Sequence, residues 1–296
     1  MREVPTATIC SMNFWEFKIM EIINGRKLRD DMLARLKSEV ASLSFVPAFA
    51  DVLVGDDAAS AQYVRMKNEM AKSLGIRAVD ASYPATITTE ELIARIVSLA
   101  EDPHLSGLIV QLPLPSSIDK DAVLAAIPRE IDVDCLNPIS QKMFYSGESV
   151  LEFPTARAIM TILKSLKVSL SEKKIVMVGR GELVGRPVTQ LLTAQNCHVT
   201  VLGSTTLDAP LSMAAADILI TATGRPSSIT GAMIKEGAVV IDAGTSESFG
   251  SVVGDVDRAS VASVASILAP VPGGVGPLTV ALLFDNVLRV ARAKNK

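Results

Sequence analysis

The 296-residue chain is short of the side chains that hold metals. His104 and His198 are its only histidines, and Cys10, Cys135 and Cys197 its only cysteines. Two histidines exclude a histidine-rich metal centre. Three widely spaced cysteines give no zinc spacing, so no metal is expected, and their odd number fits a reducing, cytoplasmic setting. Basic runs are missing too, and with a net charge of −3 this argues against nucleic acid as the main partner. The first twenty residues carry Glu3, Glu16 and Lys18 and lack an apolar run of secretory-signal length. Residues 259–284 hold no charge, but prolines and glycines break that stretch in its middle, so neither half reads as a membrane span. A soluble protein is expected, with no membrane partner. Apolar residues make up 49% and charged residues 21%, the balance of a folded chain rather than a disordered one, and the length suits two domains.

Residues 1–20 do not read as the start of a fold. They are irregular and hold the only tryptophan, Trp15. Two readings stand, a loosely held extension or a start at Met20. Beyond Ile22-Ile23-Asn24-Gly25, apolar residues at Leu28, Met32, Leu36 and Val40 predict an amphipathic helix over 26–43. Strands over 49–54, 76–83 and 107–111 then alternate with helices over 58–74, 88–100 and 119–127. A second alternating series begins near Pro154, with a helix to Leu166 and strands over 174–178, 198–202, 217–221 and 238–242. Helices are expected from Arg186, over 207–215 and over 280–293. Such alternation implies parallel sheets with helices on their faces. The expected fold is α/β in two domains, a substrate domain over 21–138 and a Rossmann-type nucleotide domain over 139–296.

Gly179-Arg180-Gly181-Glu182-Leu183-Val184-Gly185 lies between a predicted strand and a predicted helix. Glycines at such a turn let backbone N–H groups and a helix N-terminus meet a pyrophosphate. The spacing is one residue longer than the common fingerprint, and on its own it fits a plain tight turn equally well. An NAD site usually places an acid at the end of the second strand, whereas here that end reads Gly203-Ser204-Thr205-Thr206. Arg180 offers a guanidinium to a 2′-phosphate instead, and Ser204 a hydroxyl, so NADP is the expected cofactor. The bland reading of Arg180 is a solvated loop charge.

Two further features carry chemistry. Tyr63 and Lys67 are four apart on one helix and share a face; an ordinary surface pair, with the lysine stem over the ring, is the plain alternative. Ala269-Pro-Val-Pro-Gly-Gly-Val-Gly-Pro-Leu-Thr279 holds three prolines and three glycines in eleven positions, a density that no helix interior or central strand tolerates. It reads either as a stiff connector or as a ligand-clasping loop.

Six motifs in order resemble those of bifunctional methylenetetrahydrofolate dehydrogenase/methenyltetrahydrofolate cyclohydrolases. They are Ala59 to Lys67, Gln111-Leu-Pro-Leu-Pro115, Asp132-Val-Asp134, Gly179 to Pro187, Gly254-Asp-Val256 and the 269–279 loop. The resemblance covers about residues 22–293. It implies oxidation of 5,10-methylenetetrahydrofolate with NADP⁺, then hydrolysis to 10-formyltetrahydrofolate, a formyl donor of purine biosynthesis. It assigns Lys67 as acid–base, Gln111 as its hydrogen-bond partner, Tyr63 as a stacking surface and Asp134 as acceptor for the pterin. Pro272, Gly273 and Gly274 would line the folate, and Ser60 would be a substrate contact or a helix cap. Gly179, Arg180, Gly181, Val184, Gly185, Ser204 and Thr245 would hold NADP. An apolar cleft is expected around Lys67, the final helix is expected to pack back on the first domain, and a homodimer follows by analogy.

The chain departs from the family pattern at Phe153-Pro-Thr-Ala156, Cys135-Leu-Asn-Pro138, Gly244-Thr-Ser246 and Ser204-Thr205. The last two fall in the cofactor site. Rival readings are another two-domain dehydrogenase of the shikimate type, a monofunctional dehydrogenase, and a folate- or nucleotide-binding module without turnover. A short-chain dehydrogenase matches poorly, because its Tyr-x-x-x-Lys pair follows the glycine loop.

Overall fold

The computed structural model describes residues 20–248 and 251–295. The expectations for residues 1–19, including Trp15 and Cys10, lie outside the described residues.

The first half alternates as its pattern requires. After β1 (Glu21–Ile22) come α1 (Gly25–Ala41), β2 (Ala48–Val54), α2 (Ala58–Leu74), β3 (Arg77–Tyr83), α3 (Thr89–Ala100), β4 (Leu105–Val110) and α4 (Lys120–Ala125). Helix starts follow their capping residues. Asn24, Asp57, Thr88 and Asp119 each accept a backbone N–H from the first turn, and Thr88 with Glu91 forms a reciprocal capping box. Strands β3, β2 and β4 form a parallel three-stranded sheet in that order. Every residue of β2 is buried, because strands flank it on both edges and helices cover its faces.

The second half continues with α5 (Pro138–Ser146), α6 (Pro154–Ser165), β5 (Ile175–Val178), α7 (Gly185–Thr193), β6 (Val199–Leu202), α8 (Ala209–Ala214), β7 (Ile218–Thr221) and β8 (Val239–Asp242). Then follow the antiparallel pair β9 (Ser246–Ser248) and β10 (Ser251–Val253), α9 (Arg258–Val261), β11 (Ile267–Ala269) and α10 (Val275–Lys294). The second sheet is parallel throughout, in the order β1-β11-β8-β7-β5-β6. Val176, Leu219, Val240 and Leu268 stand level across four of its strands and belong to one apolar cluster on one face. Their neighbours Met177, Ile220, Ile241 and Ala269 belong to the larger core that continues to the first sheet. Strand alternation therefore divides a run of apolar residues between two cores.

Both ends of the described chain cross the expected division after residue 138. Strand β1 pairs with β11 of the second sheet, although it falls within the segment assigned to the first domain. Helix α10 packs against α1 and β4 of the first half as well as α6. Gly107 in β4 permits that approach, since a Cβ there would lie 2.7 Å from a Val287 methyl. A buried polar knot fixes the crossing. Arg157 reaches Asp285 Oδ2 at 2.6 Å and Asn286 Oδ1 at 3.0 Å, and Asn286 Nδ2 donates to the carbonyls of Val133 and Glu152. The three arginines around Asp285 hold its carboxyl below the ordinary range against the opposing effect of burial.

Helix α10 begins five residues earlier than its expected start, inside the proline- and glycine-rich stretch. Gly276 and Pro277 occupy its first turn, where a missing N–H costs nothing because that donor has no intrahelical acceptor.

Candidate active site

Helix α2 turns a buried stripe of Ser60, Val64, Lys67, Ala71 and Leu74 toward the sheet. Lys67 therefore points inward and is only 8% exposed. Its Nζ donates to Gln111 Oε1 at 2.8 Å and lies 2.8 Å from Asp51 Oδ2. Gln111 follows β4 directly, and its own Nε2 donates to Leu112 O, which leaves Oε1 facing the lysine. Asp51 lies midway along β2, level with Ile109 of β4, so Gln111 two residues further on shares its face. The expected apolar surroundings of Lys67 are thus corrected: an amide oxygen accepts from its amine, and a buried carboxylate pairs with it as an ion.

Tyr63 lies one turn before Lys67 and is 40% exposed. The surface-pair alternative does not describe this geometry, because the lysine is buried and committed to Gln111 and Asp51. Ser60 is buried, and the capping alternative for it fails. Asp57 is the N-cap, and its Oδ1 accepts the Ser60 backbone N–H at 2.7 Å.

Asp132 and Asp134 have different tasks. Asp132 is fully buried and accepts the N–H groups of Leu136 and Asn137 at 3.1 and 2.9 Å, which closes the turn between them. Asp134 is half-buried, with its carboxyl deep among protein atoms. Burial pushes its pKa up to about 6, Lys67 opposes the rise, and Asp132 and Asp51 add to it. It is the carboxylate of this pair free to meet a ligand. Cys135, where the family pattern has glycine, sits at φ 58° with its side chain fully buried.

The glycine loop follows β5, where the strand order reverses between β6 on one side and β7 on the other. Such a switch point opens a crevice beyond the strand ends. A Cβ on Gly179 would lie 2.4 Å from Ala222 O, and one on Gly185 would lie 2.2 Å from Gly179 O, so close packing demands both glycines. A Cβ on Gly181 would meet nothing, and that position is open to an approaching group. Val184 is the N-cap of α7 and supplies no side-chain acceptor, leaving the helix N-terminus to an anion. The Arg180 guanidinium lies along the end of β6, at 3.3 Å from Val201 O and 3.4 Å from Thr206 Oγ1. Ser204 and Thr205 are exposed beside it, and Thr245 is exposed after β8. An arginine stands where an acid would select a free ribose 2′-hydroxyl, so the donor set fits a phosphorylated dinucleotide.

The 269–279 stretch starts as the end of β11 and turns sharply at Gly273, where φ is 105°. Gly274 folds back, its N–H donating to Pro270 O, and Gly273 O accepts the N–H of Gly25. A Cβ on Gly25 would lie 1.8 Å from Gly274 O, which explains the Asn24-Gly25 pair at the head of α1. Pro272 is exposed at the tip. No hydrogen bond among the described residues joins this loop to the Lys67 cluster.

Three buried carboxylates, Asp51, Asp242 and Asp255, are not among the expected site residues, although Asp255 lies within the Gly254-Asp-Val256 motif. Asp51 had one usable signal: a lone acid in the apolar run Phe49 to Val54 needs a partner once that strand is buried. Asp242 and Asp255 form the other group. Asp255 accepts from Thr221 Oγ1 and from the N–H groups of Thr223 and Arg225, and Asp242 accepts from those of Gly244, Asp255 and Val256. Gly244 and Gly254 give these carboxylates room, and together they shape the loop that carries Thr245.

Comparison with known proteins accounts for both halves of the chain. Residues 23–134 match the model of the tetrahydrofolate dehydrogenase/cyclohydrolase catalytic domain, and residues 154–295 match that family's NAD(P)-binding domain. A bifunctional protein FolD from Methanospirillum hungatei is 42% identical over 271 residues, covering 92% of this chain and 97% of its own. The crystal structure of a bifunctional FolD methylenetetrahydrofolate dehydrogenase/cyclohydrolase from Campylobacter jejuni superposes with a TM-score of 0.89 at 35% identity, covering 93% of this chain and 99% of the other. A Trypanosoma brucei methylenetetrahydrofolate dehydrogenase-cyclohydrolase, complexed with NADP and an inhibitor, gives 0.87 at 34% identity, with coverages of 93% and 98%. The chain belongs to the tetrahydrofolate dehydrogenase/cyclohydrolase family.

Proposed function

We propose that Lys67, Gln111, Asp134 and Tyr63 form one active site that serves both reactions of a bifunctional folate enzyme. The chain is an NADP-dependent methylenetetrahydrofolate dehydrogenase and a methenyltetrahydrofolate cyclohydrolase. The observation that carries the reading is the Lys67 amine, buried yet hydrogen-bonded to Gln111 Oε1 at 2.8 Å at the end of β4. A lysine held so firmly is oriented for proton transfer rather than for solvation.

Gly179, Gly181, Gly185 and the α7 N-terminus at Val184 would hold the pyrophosphate of NADP. Arg180 and Ser204 would pair with its 2′-phosphate, and Thr245 would line the same site. NADP⁺, when bound, supplies the hydride acceptor. The chain's own part in that step is alignment, which is where most of the gain in a hydride transfer lies. Tyr63 stacks on the folate ring system, and Pro272, Gly273 and Gly274 pack along it. Ser60 adds a contact from the first turn of α2. Asp134, ionised above about pH 6, accepts hydrogen bonds from the pterin amino group and ring nitrogen. In the hydrolysis Lys67 handles the proton of the attacking water while Gln111 keeps the amine in place.

The folate domain would extend over 21–138 and the nucleotide domain over 139–296, with the substrate cleft between them. The 10-formyl product suits a cytoplasmic enzyme that feeds purine biosynthesis, and pairing of two copies through the nucleotide domain would give a homodimer. One assay tests the reading. Methylenetetrahydrofolate is supplied with NADP⁺ or with NAD⁺, and purified methenyltetrahydrofolate is supplied separately. Faster reduction of NADP⁺ together with accelerated hydrolysis supports it. Rates no higher than the uncatalysed ones, in a folded protein, would leave a binding module in its place.

A further inference from the structure

Asp51 pairs with Lys67 but has been given no chemical task so far, although burying a carboxylate is costly. It is 1% exposed in the middle of β2, between Ala50 and Val52, which are both fully buried. Neither carboxylate oxygen has a hydrogen-bond partner of accepted geometry, and among the described residues the Lys67 amine, 2.8 Å from Oδ2, is its one ion-pair partner. A buried ion pair of this kind is weak evidence for stability, because a well-packed apolar residue serves as well or better. Structural need alone therefore does not account for a carboxylate here. Chemical need does. Hydrolysis of a cationic methenyl group releases one more proton than it consumes, and something beside the amine has to take it.

We propose that Asp51 is a positioning residue for Lys67 that receives the lysine's proton inside the protein, so that the amine is free to act as the base. The proposal rests on the cyclohydrolase reading above. Its steps balance. An Nζ–H bond breaks and an O–H bond forms on Asp51 Oδ2, which turns the ion pair into an amine and a carboxylic acid. The amine turns its lone pair toward the cleft, with Gln111 Oε1 still accepting one of its N–H bonds. Water then adds to the methenyl carbon, and the proton it loses goes to Nζ. When the intermediate collapses, its hydroxyl proton passes to the ring nitrogen as the C–N bond breaks and the formyl C=O forms. The one proton left over sits on the Asp51–Lys67 pair and leaves to solvent through Lys67.

The surroundings favour this traffic. Burial raises the pKa of Asp51 and outweighs the opposing pull of Lys67, so the carboxyl accepts a proton more readily than a surface aspartate. A cationic substrate facing Lys67 is repelled less when the positive charge moves back onto Asp51. Other charges facing the pair are few. Asp134 and Asp132 act electrostatically on one another, Asp134 also feels Lys67 and Asp51, and the exposed Asp80 of β3 stands level with Asp51. Strand β4 carries no charge, and α2 adds only the exposed Arg65, Glu69 and Lys72.

Asp51→Asn tests the idea, since the amide keeps the shape and can still accept from Lys67 but cannot take a proton. Turnover in methenyltetrahydrofolate hydrolysis should fall about 100-fold, with KM changed less than about twofold. The dehydrogenase turnover of the same preparation should fall by less than about tenfold, which also reports that the variant is folded. After subtraction of the uncatalysed rate, wild-type hydrolysis should be level between about pH 6.5 and 8, whereas the variant's should climb with pH. Equal losses in the two activities, a variant profile parallel to wild type, or hydrolysis retained within about threefold would overturn the proposal. So would a wild-type profile rising about tenfold per pH unit, a result that needs no variant. A wild-type protein that reduces NADP⁺ but hydrolyses nothing overturns the proposal and the cyclohydrolase reading together, whereas the other adverse results leave that reading intact.

Discussion

Replacing Asp134 with asparagine should make the free enzyme more stable while impairing its function. In the folded chain the carboxyl rises from the ordinary 3.8 to about 6, mainly through burial. Between those values the native state keeps a proton that the unfolded state has lost. The advantage of the neutral form is complete below about 3.8 and disappears as pH rises through about 6. Above that, holding the carboxylate ionised costs about 3 kcal/mol, at about 1.4 kcal/mol per pKa unit. Asparagine stays neutral at every pH. The variant should exceed wild type by up to about 3 kcal/mol at pH 8, less about 1 kcal/mol if the amide is left without a partner. Near pH 4 the difference should shrink below about 1 kcal/mol. Urea unfolding of both proteins at the two pH values measures it, and the raised pKa of Asp242, which does not act on Asp134, cancels in the difference. Folate affinity and both activities should fall in the same variant. A variant no more stable than wild type at pH 8, or a difference that does not change with pH, would refute the reasoning.

Arg180→Ala should weaken NADP⁺ by about 10- to 100-fold in KM and leave NAD⁺ within about threefold, because only the 2′-phosphate loses a charge-assisted partner. Parallel kinetics with the two cofactors decide this, and an equal loss with both would remove Arg180 from the phosphate site. Gly25→Ala should destabilise the fold by about 1–3 kcal/mol and raise KM for the folate, since its Cβ would collide with the carbonyl of Gly274. Thermal unfolding and steady-state kinetics check the two effects, and a variant unchanged in both would show that the loop yields freely.

The sequence made the long amphipathic elements legible because their signals are local. Helix α2 runs over Ala58–Leu74, bounded by Asp57 and the left-handed Gly75, and those two residues mark its ends without any tertiary information. Short elements were not legible in the same way. Strands β9, β10 and β11, of three residues each, owe their existence to pairing partners, and β1 is a strand only because β11 lies beside it. Helix α5 went unread because its start depends on Asn137, which caps it while donating to the carbonyls of Ala125 and Ile127. In the site, Lys67 and Gln111 were found together because their motifs resemble a family pattern, and their contact bridges 44 positions of the chain. Asp51 stands outside every motif. Its meaning emerges only when β2 is seen to be buried on both edges and Lys67 is seen to point at it. The alternation of the second sheet was also hidden, since both faces are apolar and periodicity cannot assign them to separate cores.

The most direct test of the central claim is the hydrolysis of purified methenyltetrahydrofolate by Lys67→Met, with the uncatalysed rate subtracted and folding checked by cofactor binding. The lysine amine is expected at the reacting water. Catalysed hydrolysis should then fall at least about 100-fold while NADP binding stays within about threefold of wild type. Hydrolysis at the wild-type rate in that variant would contradict it, and the proton transfers assigned to the Asp51–Lys67–Gln111 cluster would have to lie elsewhere.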